Sequence, residues 1–390
     1  MMHAGRPMGA LHIENDHNVY ILGAGFSAEA GLPLMSSFMH RMRDAYDWLT
    51  QNGRRPEADA ISRVLEFRLK AASAALRVQF EPDNIEDLFS LAAASGADAK
   101  ALESDMRVAI AATLAFARTG AITLQVQIAR PGQKPAPAWT SINSEFSTQN
   151  NQILVANPHS FYVAALCGPV ATRGPSSKNT FISFNYDTVL EEALTTVGIP
   201  FDYCLPREVR VDEAVRQSLQ EVDSEAELVR VLKLHGSVNW GTTLSPGPMT
   251  RFSSYDDLRR AQTIMPDLLP ALLPPTWRKV FEGPMSSVWD AAVEALRSAT
   301  RIIVIGFSIP PGDIHFKYLL AAGLRQSISL RDVVFVDPAG ETIKDRASRL
   351  LMSSVRSTFH PFNAREFFKN ANHLLSIGRS RSPEWAGSVS

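Results

Sequence analysis

The chain has 390 residues, 45% of them hydrophobic, which gives room for one large domain with an insertion, or for two domains, around a sizeable core. A formal net charge of −1 removes any global electrostatic pull toward nucleic acid or anionic membranes, and no apolar run approaches the roughly 18 residues of a membrane span. The two cysteines, Cys167 and Cys204, lack CxxC spacing and can build neither a disulfide framework nor a four-cysteine zinc site; with no signal-peptide pattern at the start, a soluble cytoplasmic protein is expected.

In chain order, residues 1–17 are polar and aperiodic and read as a loose arm. VYILG (19–23) is the first strand. Ile61, Leu65, Leu69, Ala72 and Leu76 recur at spacings of three and four, which places them on one helix face. Asp83 followed by Glu86 has capping-box spacing and opens a second helix, and a third covers roughly 99–118. Residues 40–135 therefore read as a helical insertion, and the Pro/Ser/Asn-rich stretch 131–151 as a connector. TFISF (180–184), RVLKL (230–234), RIIVIG (301–306) and VVFV (333–336) follow. Such near-continuous apolar runs suit parallel strands buried on both faces, with 19–23 central. The expected division is an arm (1–17), a nucleotide-binding domain (18–39 and 152–378), a helical insertion with its connector (40–151) and a tail (379–390).

All five strand runs end in polar or glycine-containing motifs: GAGFSAEAG, NYD, HGS, GFS and DP. In open parallel sheets, ligands bind beyond the carboxyl ends of the strands. In the first motif Gly23, Gly25 and Ala28 form a GxGxxA pattern, whose small residues let backbone N–H groups approach a pyrophosphate. A dehydrogenase would add an acidic residue at the end of the second strand. Here Asp44 and Asp47 fall in a helical run instead, which weighs against hydride transfer. Asn185 and Asp187 follow the second strand run. His235 follows the third, and of the nine histidines it alone directly succeeds a strongly apolar run beside glycine; Gly236 and Ser237 are expected to keep its turn open to a ligand.

Taken together, GAGFSAEAGLP, SFNYD, KLHGS, GFSIPPGD and FVDP resemble, in order, the signature segments of the sirtuins, over roughly 18–38 and 180–340. The resemblance implies a doubly wound, Rossmann-like α/β sheet that binds NAD, with the helical insertion in place of the sirtuin zinc module. Gly23, Ala24, Gly25, Phe26 and Ser27 would line the phosphate and ribose path, and Gly306 and Ser308 the distal ribose and phosphates. Asn185 would hold the nicotinamide ribose and a water, Asp187 would support the nicotinamide pocket, and Asp337 would lie beside the adenine. His235 would act as general base, which suits an imidazole near neutral pKa. Asp313 is a further candidate, for the pocket or for a turn.

Two departures bear on the activity. Protein-deacylating sirtuins carry paired CxxC motifs for zinc, and Asp-Phe-Arg after the Gly-Leu-Pro turn; here Pro33 is followed by Leu34, Met35 and Ser36. The pattern is similar to sirtuin-like effectors of bacterial anti-phage defence, which implies hydrolysis of NAD to nicotinamide and ADP-ribose without a metal, a homo-oligomer, and a HerA-like ATPase as candidate partner. Three other readings stay open: a protein deacylase, a nucleotide sensor and a nuclease. The nuclease would use the acidic group Glu81, Asp83, Glu86 and Asp87, with Arg54, Arg55, Arg63, Arg68, Lys70 and Arg77 against DNA. The bland alternative for both groups is a solvated helix surface.

Overall fold

A computed structural model describes residues 17–78, 80–94, 96, 99–128, 148–149, 152–153, 158–167, 179–220, 228–243, 249–273, 283–310 and 314–368. Each of the five apolar runs is a strand: β1 (Asn18–Leu22), β4 (Thr180–Ser183), β7 (Val229–Lys233), β11 (Arg301–Ile305) and β12 (Asp332–Val336). Two short edge strands, β5 (Phe201–Asp202) and β13 (Ser357–His360), complete a seven-stranded sheet in the order β13-β12-β11-β1-β4-β7-β5. Every pairing in it is parallel. Consecutive residues are buried along β4, β11 and β12, so both faces of the sheet are covered.

The fold is α/β, with β1 at its centre as expected. The chain builds outward from β1 on one side through β4 and β7, then crosses to β11 on the other. That reversal makes the carboxyl ends of β1 and β11 the switch point of the sheet. At the opposite end His17, grouped by sequence with the arm, is tied to the sheet. Its carbonyl accepts from Thr300 N at 2.9 Å and its amide donates to Thr300 Oγ1 at 2.9 Å.

The insertion is helical, with different details. After the short α1 (Ala24–Ser27) come α2 (Phe38–Gln51), α3 (Arg55–Ala71), α4 (Ile85–Ala94) and α5 (Ala99–Ile128). The buried face of α3 is carried by Ala58, Ile61, Val64 and Ala71, whereas Leu69 and Leu76 are exposed. The helix stops at Ala71, so Ala72 and Leu76 fall outside it. Asn84, not Asp83, caps α4, its Oδ1 accepting from Glu86 N at 2.9 Å. Asp83 pairs with Arg68 at 2.6 Å instead.

A second sheet, of β6 (Arg210–Val211), β8 (Gly236–Thr243), β9 (Thr250–Arg251) and β10 (Leu268–Leu272), runs β10-β8-β9-β6. It grows directly out of the β7 end, and α5 packs against β10. The insertion is also tied down by polar contacts: Tyr255 Oη donates to Glu57 Oε1 at 3.0 Å, and Arg118 reaches Glu192 and the Ala30 carbonyl. A small hairpin, β2 (Thr148–Gln149) and β3 (Gln152–Ile153), falls within and just after the sequence-defined connector. The rest of 131–151, apart from those strand residues, and the tail from 379 lie outside the described residues, as do residues 1–16 and Asp313.

Candidate functional site

The carboxyl ends of β1, β4 and β11 meet through unusually close backbone. Gly23 N donates to the Ile305 carbonyl at 3.1 Å and Gly25 N to the Gly306 carbonyl at 2.9 Å. A Cβ at Gly25 would stand 2.7 Å from Gly306 Cα, and one at Gly306, whose φ is +60°, only 2.4 Å from Phe26 N. Glycine at 25 and 306 is thus required by the approach of two loops to each other. Phe26 N in turn donates to the Gly23 carbonyl at 2.9 Å. The turn's N–H groups at 23, 25 and 26 are therefore engaged inside the protein.

A chain of hydrogen bonds crosses this switch point. Asn185 Nδ2 donates both hydrogens, to the Gly23 carbonyl at 2.8 Å and to Ser27 Oγ at 3.1 Å. Ser27 Oγ donates onward to Asp187 Oδ1 at 3.1 Å, which also accepts from Val189 N at 3.0 Å. With its amide hydrogens used, Asn185 offers its Oδ1 as an acceptor to whatever occupies the site. Burial raises the Asp187 carboxyl above the ordinary carboxylate range, against the pull of nearby Lys233.

Beneath this chain lies a buried charge cluster. Lys233, the last residue of β7, is 1% exposed and pairs with Glu191 at 2.9 Å while also donating to the Asp187 carbonyl. Glu191 sits on α7 (Val189–Thr196) and accepts from Tyr203 Oη at 3.1 Å. The only hint of it in the sequence is a lysine between the leucines of a strand run.

His235 occupies the link between β7 and β8, 2% exposed. Its ring meets Phe184 edge-on at 5.1 Å and leans on Tyr186 at 5.9 Å. The turn after it is closed, contrary to expectation. Gly236 has φ +79° and a Cβ there would lie 1.9 Å from the Ala271 carbonyl of β10, while Ser237 Oγ donates to Asn239 Oδ1 at 2.6 Å. The room that small residues create at 236 is filled by the second sheet.

The remaining predicted residues are less concentrated. The Phe26 side chain is buried against His159 at 4.9 Å and Phe368 at 6.5 Å, which makes that ring part of the core. Ser308 is exposed and its carbonyl accepts from Arg346. Asp337 Oδ1 accepts from Ala339 N at 2.8 Å, closing the turn before helix Gly340–Leu350; beside it Pro338, Gly340, Phe359 and Pro361 line a surface hollow. His315 is buried against Trp289 at 6.4 Å on helix Ile314–Leu324.

His159, which the sequence does not single out, is fully buried on α6 (Pro158–Cys167), with Nε2 2.7 Å from the Phe26 carbonyl. Burial depresses its pKa to about 4, so it is neutral and donates to that carbonyl. Tyr162, one turn on, donates to Glu29 and stacks on Phe368 at 4.4 Å. Together they brace the first turn from behind.

Residues 179–356 match the SIR2-like domain. The matched stretch takes in Asn185, Asp187, His235, Gly306, Ser308 and Asp337, while the glycine-rich turn and the insertion lie outside it. No curated protein matches the chain. Among solved structures, the chain is similar to Sir2Tm bound to a propionylated peptide, at 12% identity over 96% of this chain and 100% of that one, with a TM-score of 0.38. A Sir2–p53 peptide–NAD+ complex gives 12% identity, the same coverages and a TM-score of 0.40. Likeness at that level leaves the functional reading to the chain's own residues. Among the described residues no group of three or more His, Cys, Asp or Glu is placed to hold a metal, and no helix is long and apolar enough to cross a membrane.

Proposed function

We propose that the chain cleaves the nicotinamide–ribose bond of NAD, releasing nicotinamide and ADP-ribose, as an NAD-depleting effector of anti-phage defence. The observation that carries this reading is the polar chain from Gly23 through Asn185 and Ser27 to Asp187, at the switch point of a parallel sheet, within a chain whose 179–356 segment is SIR2-like. Asn185 Oδ1 accepts from a ribose hydroxyl or orients the attacking water. Asp187 supports the nicotinamide, and Gly306, Ser308 and Asp337 border the path of the rest of the dinucleotide. The C–N bond breaks with its electron pair leaving on nicotinamide, the ribose becomes oxocarbenium-like, and water adds to it. His235 takes the water's proton, once Tyr186, the half-buried side of its aromatic cage, gives way to the ligand. Enclosure by Phe184 keeps other water from the reacting carbon.

Deacylation is less favoured, because the sequence lacks the paired CxxC motifs and the Asp-Phe-Arg segment of the deacylating sirtuins. The nuclease reading is weakened where its charges pair internally: Arg63 with Asp105, Arg68 with Asp83, Lys70 with Glu66 and Arg54 with Glu57. A homo-oligomer and a HerA-like ATPase partner belong to the proposal as activating assemblies. Chromatography of NAD incubated with the purified assembly tests the activity. Equimolar nicotinamide and ADP-ribose are expected. Turnover only with an acyl-lysine peptide would replace the hydrolase by a deacylase, and nicked DNA with intact NAD would replace it by a nuclease.

A further inference from the structure

A general base acts only on a proton within hydrogen-bond reach of it, so water must come to the ring of His235. That residue is 2% exposed, and one of its neighbours has to move first. The neighbours differ in how firmly they are held. Phe184, edge-on to the imidazole at 5.1 Å, is buried and stacks on Phe307 at 4.5 Å, with Phe316 edge-on at 5.6 Å. Displacing it would disturb the core. The turn at Gly236 is closed by the Ala271 carbonyl of β10.

Tyr186 is the yielding side. Its ring is half-buried and leans on the imidazole at 5.9 Å. Its backbone is fixed, the carbonyl accepting from Val238 N at 2.9 Å, but its side chain can change rotamer without moving the main chain. The phenol is tied across to the second sheet, donating to the carbonyl of Leu273, just past β10, at 3.2 Å. Leu273 N donates in turn to the His235 carbonyl at 2.8 Å. One residue therefore holds the backbone of His235 through its N–H and the cover over its ring through its C=O. A phenol–carbonyl bond on a half-exposed side chain exchanges for bonds to water at small net cost, so the tie is weak enough to open.

We propose that Tyr186 is a latch on the general base. Bonded to Leu273, it covers His235 and holds the site at rest; released, its ring swings outward and opens the imidazole to water and substrate. This rests on the reading of His235 as the general base and adds its regulation, making the end of β10 the point through which the second sheet controls the first.

The test is carbethoxylation by diethyl pyrocarbonate of the purified full chain, as parent, Tyr186→Phe and Tyr186→Ala. Trypsin releases His235 in peptide 234–251 and His315 in peptide 302–317, neither with another histidine, so mass spectrometry follows the two rates separately. His315, buried against Trp289, reports any general loosening, and thermal melting checks the fold. Tyr186→Phe removes only the phenol oxygen. It is expected to label His235 roughly 2- to 10-fold faster than the parent, as for the loss of one net hydrogen bond, with His315 unchanged. Tyr186→Ala, lacking the cover altogether, should be faster still. Equal His235 rates in parent and Tyr186→Phe overturn the latch even where the Ala variant labels fast, since the ring then covers by packing alone. A rise shared equally by His315 overturns it as well. Faster labelling of His235 in Tyr186→Phe, by a protein that leaves NAD intact, would retire the hydrolase and keep the latch. NAD cleavage with equal labelling would do the reverse.

Discussion

At the residue scale, several positions that read as ligand-binding in the sequence serve the protein's own backbone. Gly236 is the clearest. Its left-handed φ and the Ala271 carbonyl in the space of a Cβ leave no room for alanine. Gly236→Ala should cost about 3 kcal/mol or more in urea denaturation, through strain and a forced shift of β10. Asn185 likewise has two roles. Its amide satisfies the Gly23 carbonyl and Ser27, so Asn185→Ala should lower stability by about 1–3 kcal/mol besides its effect on activity. His159 has no counterpart in the sequence reading, because its own neighbours Asn157, Pro158 and Ser160 are polar or turn-forming and its burial comes from the helix that follows. Its pH behaviour follows from a folded pKa of about 4 against 6.5 when unfolded. Above 6.5 both states are neutral there and the term is zero. As pH falls from 6.5 toward 4 the unfolded chain takes up a proton that the folded one refuses, so stability drops, by roughly 3 kcal/mol at the lower end. His159→Gln keeps a donor for the Phe26 carbonyl and should flatten that part of the stability–pH curve. A curve unchanged by the substitution would show that His159 does not carry the slope.

At the element scale, what was legible was what periodicity and composition encode locally. The five apolar runs all form strands of one parallel sheet, because β-branched runs buried on both faces need no partner information to be recognised. The edge strands β5 and β13 were not legible: two residues of Phe-Asp and the half-polar STFH carry no pattern. Nor was the second sheet, whose β8 mixes glycine, serine and asparagine with Trp240 and makes sense only once β10 lies against it. The stripe on α3 and the cap of α4 were each displaced by a few residues, since caps are chosen by geometry at the helix start and Asn84 was better placed than Asp83. The Lys233–Glu191–Tyr203 cluster joins β7, α7 and the residue after β5. Lys233→Met leaves Glu191 buried without its cation and should destabilise by about 3–5 kcal/mol in denaturant titration. Adding Glu191→Gln should restore most of that; a double variant no better than the single one would mean that the lysine acts through packing.

At the scale of the whole molecule, the sheet, the second sheet and the helical insertion share one hydrophobic core, and the candidate site lies where they meet. Strand-end motifs far apart in the sequence, at Gly23, Asn185 and Gly306, are brought into contact by the order of the sheet, which is why their clustering was legible from position alone. What position could not convey was closure: His235 and Ser237 are sealed by β10, and Phe26 faces the core. The central claim is that Asn185 and His235 together form the centre that cleaves NAD. The most direct measurement is the rate of nicotinamide release by the activated assembly of the parent and of Asn185→Ala, His235→Ala and His315→Ala, each shown by thermal melting to be folded at the assay temperature. The first two should fall by about two orders of magnitude or more, as expected for positioning and general-base groups, and His315→Ala should stay within a fewfold of the parent. Parental rates in both Asn185→Ala and His235→Ala would contradict the account and place the active centre elsewhere.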